Sequence, residues 1–403
     1  MLGRGGTMPQ HPLLTPLTTQ EQEQLRDWRR HLHAEPELSL AEYDTQAYLR
    51  QALQSMGVQR VIDCGGTGLV LRLGGKRPGK TLLLRADMDA LPVQEQADVA
   101  FASRRPGLMH ACGHDAHMAC MLATVQRLLK FEAELPGQVV VALQPGEECG
   151  RGAVAMIEQG LVDGRWDGGS AVEAAIGLHV WSPLPVGTIS CASGPVMAAV
   201  DDFTITVHGK GGHGALPHTA IDSVVVASEI VLGLQTLASR RSDPLKPVVV
   251  TVGSIHGGSA FNVIAEEVIL HGTVRSYDTE LGRQLPLWMG QLVEHTAAAH
   301  GATAELSYRR YTTALHNNAG IADLVAGAAA KVDGIGAIDR QLRMMAGEDM
   351  AYLLQAVPGC FFFVGCGGPE AQPHHCPRFV VNEAALPLGV GVLLQATWDF
   401  LQG

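Results

Sequence analysis

The 403 residues are 46% hydrophobic and 17% charged, a balance that excludes a disordered chain and supplies enough apolar material for a sizeable core. Lys and Arg number 29 against 40 Asp and Glu, a formal net charge of −11 with no basic stripe, so no nucleic-acid partner is expected. Eight cysteines without a CxxC framework fit a reducing cytoplasm better than a disulfide scaffold.

No run of about 18 apolar residues is evident, so neither a membrane span nor a membrane partner is expected. Residues 1–16 lack the apolar stretch of a signal peptide and read as a flexible tail. A first helix is predicted over 19–33, capped by Thr18 or Thr19 and stopped by Pro36. A second covers 44–56 and ends at Gly57. GLVLRL (68–73) and TLLLR (81–85) are short, branched and apolar, as strands are. A helix over 117–131 repeats Met121, Leu122, Val125, Leu128 and Leu129 at helical spacing. Further strands are predicted at 138–143 and 174–180. Continuously apolar strands alternating with helices predict an α/β sheet covered on both faces.

The texture changes near Cys191. FTITVH (203–208) alternates, and a striped helix follows at 222–240. Strands at 248–252 and 269–275 and a helix at 281–299 complete a β-α-β-β-α order. This predicts an inserted smaller domain at 192–306, flanked by one larger domain made of 1–191 and 307–403. The first texture resumes with helices at 321–332 and 349–356, a strand at 360–364 and a last helix at 383–401.

Metal-ligand residue types cluster just past the predicted strands, where open α/β sheets place their crevice. MHACGHDAH (109–117) offers one thiol and three imidazoles, a donor set suited to zinc, manganese, cobalt or nickel. The bland alternative is a buried cysteine beside surface histidines. QPGEE (144–148) puts Glu147 and Glu148 side by side, pointing different ways, so one can bind metal while the other faces a reacting water; a solvated pair is the alternative. In RADMDALP (85–92), Asp89 is a candidate acceptor that orients a ligand imidazole, or simply part of a turn. His179 ends a strand, and His374 and His375 follow another by about ten residues. In GKGGHGALPH (209–218), glycines flank His213 and suggest a ring that reaches outward. Asn262 offers an amide to a carbonyl, and Arg275 a fork to a carboxylate or to a surface ion pair.

RADMDALP, MHACGHDAH, QPGEE, GLHVW, GKGGHGALPH, GGSAFNVIAEEVILHGTVR, GEDM and HHCPRF occur in that order. Together they resemble the M20 metallopeptidase family, in its amidohydrolase branch of hippurate hydrolases, N-acyl-amino-acid amidohydrolases and auxin-conjugate hydrolases. The resemblance implies a zinc-peptidase-like α/β catalytic domain with an inserted, ferredoxin-like α+β dimerisation domain. It implies two divalent ions per chain (Mn, Zn, Co or Ni), with Cys112 as the bridging thiolate. His114 and His179 match the other ligands of one ion, and Glu148 and His375 those of the second. Glu147 matches the general base toward a metal-activated water. His213 matches a histidine that enters the partner subunit's site, and Asn262 and Arg275 match substrate contacts. The implied activity is hydrolysis of the amide bond of N-acyl amino acids or small peptides by a cytoplasmic homodimer, with a tetramer as the alternative. Gly146, Ala265 and Cys376 depart from the usual residues without removing a ligand. Two rivals are a non-catalytic metal-dependent binder on the same scaffold and a hydrolase that uses Cys112 as nucleophile.

Overall fold

The computed structural model describes residues 11–74 and 79–403. They fall into two compact units: one takes in the chain up to Gly194 with His316–Leu342 and Tyr352–Gly403, the other Pro195–Leu315 with Arg343–Ala351.

The first unit is built on a mixed sheet of eight strands among the described residues, in the order Ile62–Asp63, Leu69–Gly74, Gln138–Gln144, Thr81–Asp87, Ala174–Pro185, Gly359–Gly367, Thr188–Ser190 and Ala337–Asp339. Its centre is parallel. Thr81–Asp87 runs parallel to both Gln138–Gln144 and Ala174–Pro185, and Gly359–Gly367 runs parallel to the latter. Every residue of Thr81–Asp87 is buried, as the unbroken apolar run predicts for a strand covered on both faces. Leu82, Leu83 and Leu84 are fully buried, each worth about 1.5–3 kcal/mol relative to exposure. The short strands at 188–190 and 337–339 escape sequence reading because three residues carry no periodicity.

The Thr19–Ala34 helix starts at Thr18, whose hydroxyl and the Glu21 carboxylate form a reciprocal capping box. Residues 1–10 of the expected tail lie outside the described residues. Residues 11–16 are not a loose tail. Leu13 is fully buried, the His11 ring stacks on Trp398 at 4.2 Å, and Arg127 donates to the carbonyls of Pro12 and Thr15 at 3.3 and 3.2 Å. The stretch Glu383–Gln402 is long and apolar enough to cross a membrane, with a mean hydropathy of 1.4 over its best window, which corrects the expectation that no such run exists. Two thirds of that window (67%) is buried, so its apolar faces are those of a core helix.

The second unit has a four-stranded antiparallel sheet in the order Val248–Gly257, Glu267–Ser276, Ala199–His208, Thr303–Thr312. With the helices Ser223–Thr236 and Thr279–Ala299 between strands, the chain order is β-α-β-β-α-β, the ferredoxin-like arrangement. The closing strand lies at the end of the range 192–306 and runs past it. Its burial alternates, and it pairs with Ala199–His208 along almost its whole length.

Candidate metal centre

Strand ends in the first unit create the site. Asp87 closes one strand level with Gln144 at the end of its neighbour, and His179 lies on the next strand over. The helix bearing the cysteine–histidine motif begins at His114, three residues earlier than predicted. Gly113 ahead of it has φ +97, and a Cβ there would come within 2.5 Å of Val180 Cγ2. Only glycine lets this helix end abut the strand that carries His179.

The five predicted ligands come together. Ligand atoms of Cys112, His114 and His179 lie within 4.8 Å of one another, and so do those of Cys112, Glu148 and His375. The two groups share Cys112. Cys112 Sγ is 3.4 Å from His179 Nε2, and His375 Nε2 is 3.6 Å from Glu148 Oε1. Glu147 joins a third group with His114 and Glu148.

Hydrogen bonding sorts the imidazoles by what each ring nitrogen is already doing. His179 Nδ1 donates to the Val180 carbonyl (2.5 Å), and His114 Nδ1 to the Asp89 carbonyl (2.8 Å). Both rings therefore leave Nε2 to the cage; on His114 burial is outweighed by the Asp87 and Cys112 charges, which raise the pKa, so a bound cation takes the place of a proton there. His114 Nε2 is fully buried without a formed hydrogen bond; around it stand the Cys112 thiol and the carboxylates of Asp87 (3.7 Å) and Glu148 (3.9 Å). A buried imidazole nitrogen without a formed hydrogen bond, ringed by a thiol and carboxylates, is what a divalent cation would satisfy. His374 differs. Its Nδ1 donates to the Cys112 carbonyl (3.1 Å) and its Nε2 accepts from the Ser182 amide (3.1 Å), so neither nitrogen is free to ligate. His375, with a left-handed φ of 64 and its amide bonded to the Ala111 carbonyl, is the one of the pair that turns to Glu148.

Asp89 supports the cage by more than one bond. Its carboxylate accepts the main-chain N–H groups of Glu147 (3.1 Å) and Glu148 (2.9 Å) and the Ser39 hydroxyl (2.6 Å), and lies 3.3 Å from His114 Nδ1. The loop is held from the other side by Glu42, whose carboxylate accepts the Gly146 and Leu40 amides. Gly146 has φ +59, and a Cβ there would meet Leu40 Cδ2 at 2.6 Å, so the departure to glycine suits this loop. Ser39 and Glu42 sit between two helices with no motif around them, and nothing in the sequence signals their role.

The electrostatics are those of a cage made for positive charge. Burial, reinforced by the Asp89 and Asp87 charges, pushes Glu148 up to about 7. Burial and the Glu148 charge hold the Cys112 thiol well above its usual range. A divalent cation reverses both shifts by favouring carboxylate and thiolate.

The other predicted residues lie in the second unit. His213 is exposed on a short strand paired with Val263, next to Asn262, whose carbonyl accepts the Gly214 amide at 2.8 Å. The Ala215 amide donates to His213 Nδ1 (3.0 Å), so the neutral ring carries its proton on Nε2 and can donate outward. Arg275 is half-buried on the Glu267–Ser276 strand. Burial lowers its pKa, and Asp201, whose charge it feels, is already paired with Arg310 and Tyr308.

His110 has no part in the cage, yet it is buried with both ring nitrogens unpartnered among the described residues. Burial pushes it down to about 4. The unfolded chain protonates this ring near pH 6.5 and the folded chain only near 4, so the stability it contributes is present above 6.5 and lost as pH falls between those values. In metal-free protein, His110→Leu is expected to flatten the acid-side decline of urea stability by about 1 kcal/mol per pH unit. An unchanged slope would show that the ring carries none of it.

Comparison with known proteins identifies the family of the chain. Residues 83–399 match the model of peptidase family M20/M25/M40. The chain is 43% identical over 282 residues to an N-acyl-L-amino acid amidohydrolase of Geobacillus stearothermophilus, covering 70% of this chain and 74% of that protein. It is 39% identical over 365 residues to an N-acetyl-L-cysteine deacetylase of Bacillus subtilis, covering 91% and 85%. Among solved structures, a dinuclear metal-binding peptidase of the M20 family from Bacillus subtilis superposes with a TM-score of 0.82 at 32% identity, covering 96% of this chain and 99% of that one. A family match over most of the chain, joined to a two-unit fold shared with a solved member, makes this protein a member of peptidase family M20/M25/M40.

Proposed function

We propose that this protein is a metal-dependent amidohydrolase that cleaves the amide bond of N-acyl amino acids or small peptides. The observation that carries the reading is the pair of ligand groups sharing Cys112, with Glu147 beside them. Cys112, His114 and His179 would hold one divalent ion, and Cys112, Glu148 and His375 the other. Their mixture of thiolate, imidazole and carboxylate accommodates Mn, Zn, Co or Ni. The named activities of the Geobacillus and Bacillus relatives support an N-acyl amino acid as substrate.

When bound, the ions polarise the amide carbonyl and bring the pKa of water from 15.7 toward about 7. Glu147 takes the proton of the attacking water and later passes it to the leaving amine. Asp89, by holding the amides of Glu147 and Glu148, aims the two carboxylates at different targets. His213 of the partner subunit, through its Nε2–H, donates to the tetrahedral oxyanion in a homodimer; one such donor is typically worth about 10²–10³ in rate. Asn262 and Arg275 hold the substrate, with Arg275 on its carboxylate. None of the described cysteines forms a disulfide, which supports a reducing, cytoplasmic setting.

A nucleophilic Cys112 is disfavoured because such a thiol needs a depressed pKa, and this one is pushed up. The test is a chelate-and-restore assay over N-acyl amino acids and short peptides. Activity is expected to vanish with chelator and to return with one of the four metals. An active metal-free preparation would overturn the reading. Failure to turn over any amide with all four metals would favour a binder.

A further inference from the structure

Asp87, His117 and Arg85 lie behind the cage, fully buried. Asp87 and His117 group with His114 closely enough to be taken for a third metal site. The hydrogen bonds argue against that. The Val180 amide donates to His117 Nε2 at 2.9 Å, so the ring's proton is on Nδ1, which donates to Asp87 Oδ1 at 2.6 Å. Asp87 Oδ2 accepts from Arg85 Nη1 at 2.7 Å, and Arg85 Nε donates to Gln144 at 2.9 Å. No atom of His117 is left to ligate, and each Asp87 oxygen has a donor.

The chain of bonds ends on a ligand. His117 fixes the amide of Val180, and the carbonyl of the same residue takes His179 Nδ1–H. That bond selects the His179 tautomer and turns Nε2 toward Cys112 Sγ. We infer that Asp87 and His117 are positioning residues: a buried carboxylate–imidazole pair that fixes, through the Val180 peptide, the ring orientation and tautomer of His179 and so the affinity of one of the two metal positions. The inference rests on the metal reading above. Histidine ligands ordinarily take such support directly from an acceptor on the ring. Here the acceptor is a main-chain carbonyl, and the pair acts one peptide further back.

The experiment is metal titration of chelator-stripped full-length protein with Co(II), read by the thiolate charge-transfer band and by bound stoichiometry. His117→Asn keeps a donor to Asp87 and loses the acceptor for Val180; His117→Gln keeps an acceptor near the Nε2 position. The expected result is that His117→Asn weakens one of two Co(II) ions by about 10–100-fold, the range for lost outer partners, and that His117→Gln restores most of it. Equal affinities in wild type and His117→Asn, or equal weakening of both ions by both variants, would overturn the positioning role.

A wild-type measurement guards against variants that fail to fold. In histidine-selective nitrogen NMR, Zn(II) is expected to shift Nε2 of His114 and His179 while His117 keeps its Nδ1–H tautomer. A metal-induced shift of His117 Nε2 as large as theirs would make it a ligand and overturn the inference. No shift at His114 and His179 would overturn the metal reading itself, and the inference with it.

Discussion

Glu147→Gln is expected to lower kcat by about 10²–10⁴ while both metal ions stay bound, the usual contribution of a positioned general acid–base. The change is isosteric, so it leaves the loop's shape to the bonds that already set it. Those bonds are main-chain: the Glu147 and Glu148 amides to Asp89, and the Gly146 amide to Glu42. None needs the Glu147 carboxylate. On the reading proposed above, the variant loses the capacity to take a proton from water and return it to the amine. Steady-state kinetics beside elemental analysis checks this; activity within tenfold of wild type at full metal content would remove Glu147 from the base role. The same variant tests the trans histidine. Mixed with His213→Ala, it should regain part of the activity through hybrid dimers with one intact site, because each inactive chain supplies what the other lacks. No regain would leave His213 without a role in a neighbour's site.

How far this centre could be read beforehand depended on what kind of signal each residue leaves. Strands such as Thr81–Asp87 and Gln138–Gln144 announce themselves by unbroken apolar runs, and their order along the chain predicts a covered sheet whose ends gather function. Cys112, His114, Glu147, Glu148, His179 and His375 are metal-ligand types on those strands or in the segments that follow them, and they stand out for that reason. The supporting residues leave no such signal. His117 and His374 look like ligands in sequence, and only their bonds show that their nitrogens are spent: His117 on the Asp87 carboxylate and the Val180 amide, His374 on the Cys112 carbonyl and the Ser182 amide. Ser39 and Glu42 come from a connection between helices and reach Asp89 and Gly146 across long stretches of chain. The start of the helix at His114 was missed because the periodic apolar stripe begins later; a left-handed glycine, which carries no hydrophobic pattern, sets the boundary.

Cys112→Ala is expected to weaken both ions together by more than about 100-fold, beyond the 10–100-fold typical of losing an outer partner, because its sulfur belongs to both ligand groups. His179→Ala and His375→Ala give the contrast: each removes a ligand from one group only, so each should leave one ion bound where Cys112→Ala leaves none. Titration with pH sharpens the test. In the metal-free chain the thiol is held protonated by burial and by the Glu148 charge, and Glu148 itself titrates near 7. Binding must expel those protons, so affinity tightens as pH rises, about tenfold per pH unit for each proton displaced. Removing the thiol removes one of those protons, and the slope of log affinity against pH should fall by about one. Competition titrations between pH 6 and 8 measure both quantities. A Cys112→Ala protein that still binds two ions with the wild-type slope would mean that the sulfur is not shared between them, and the two-ion cage would have to be rebuilt on other donors.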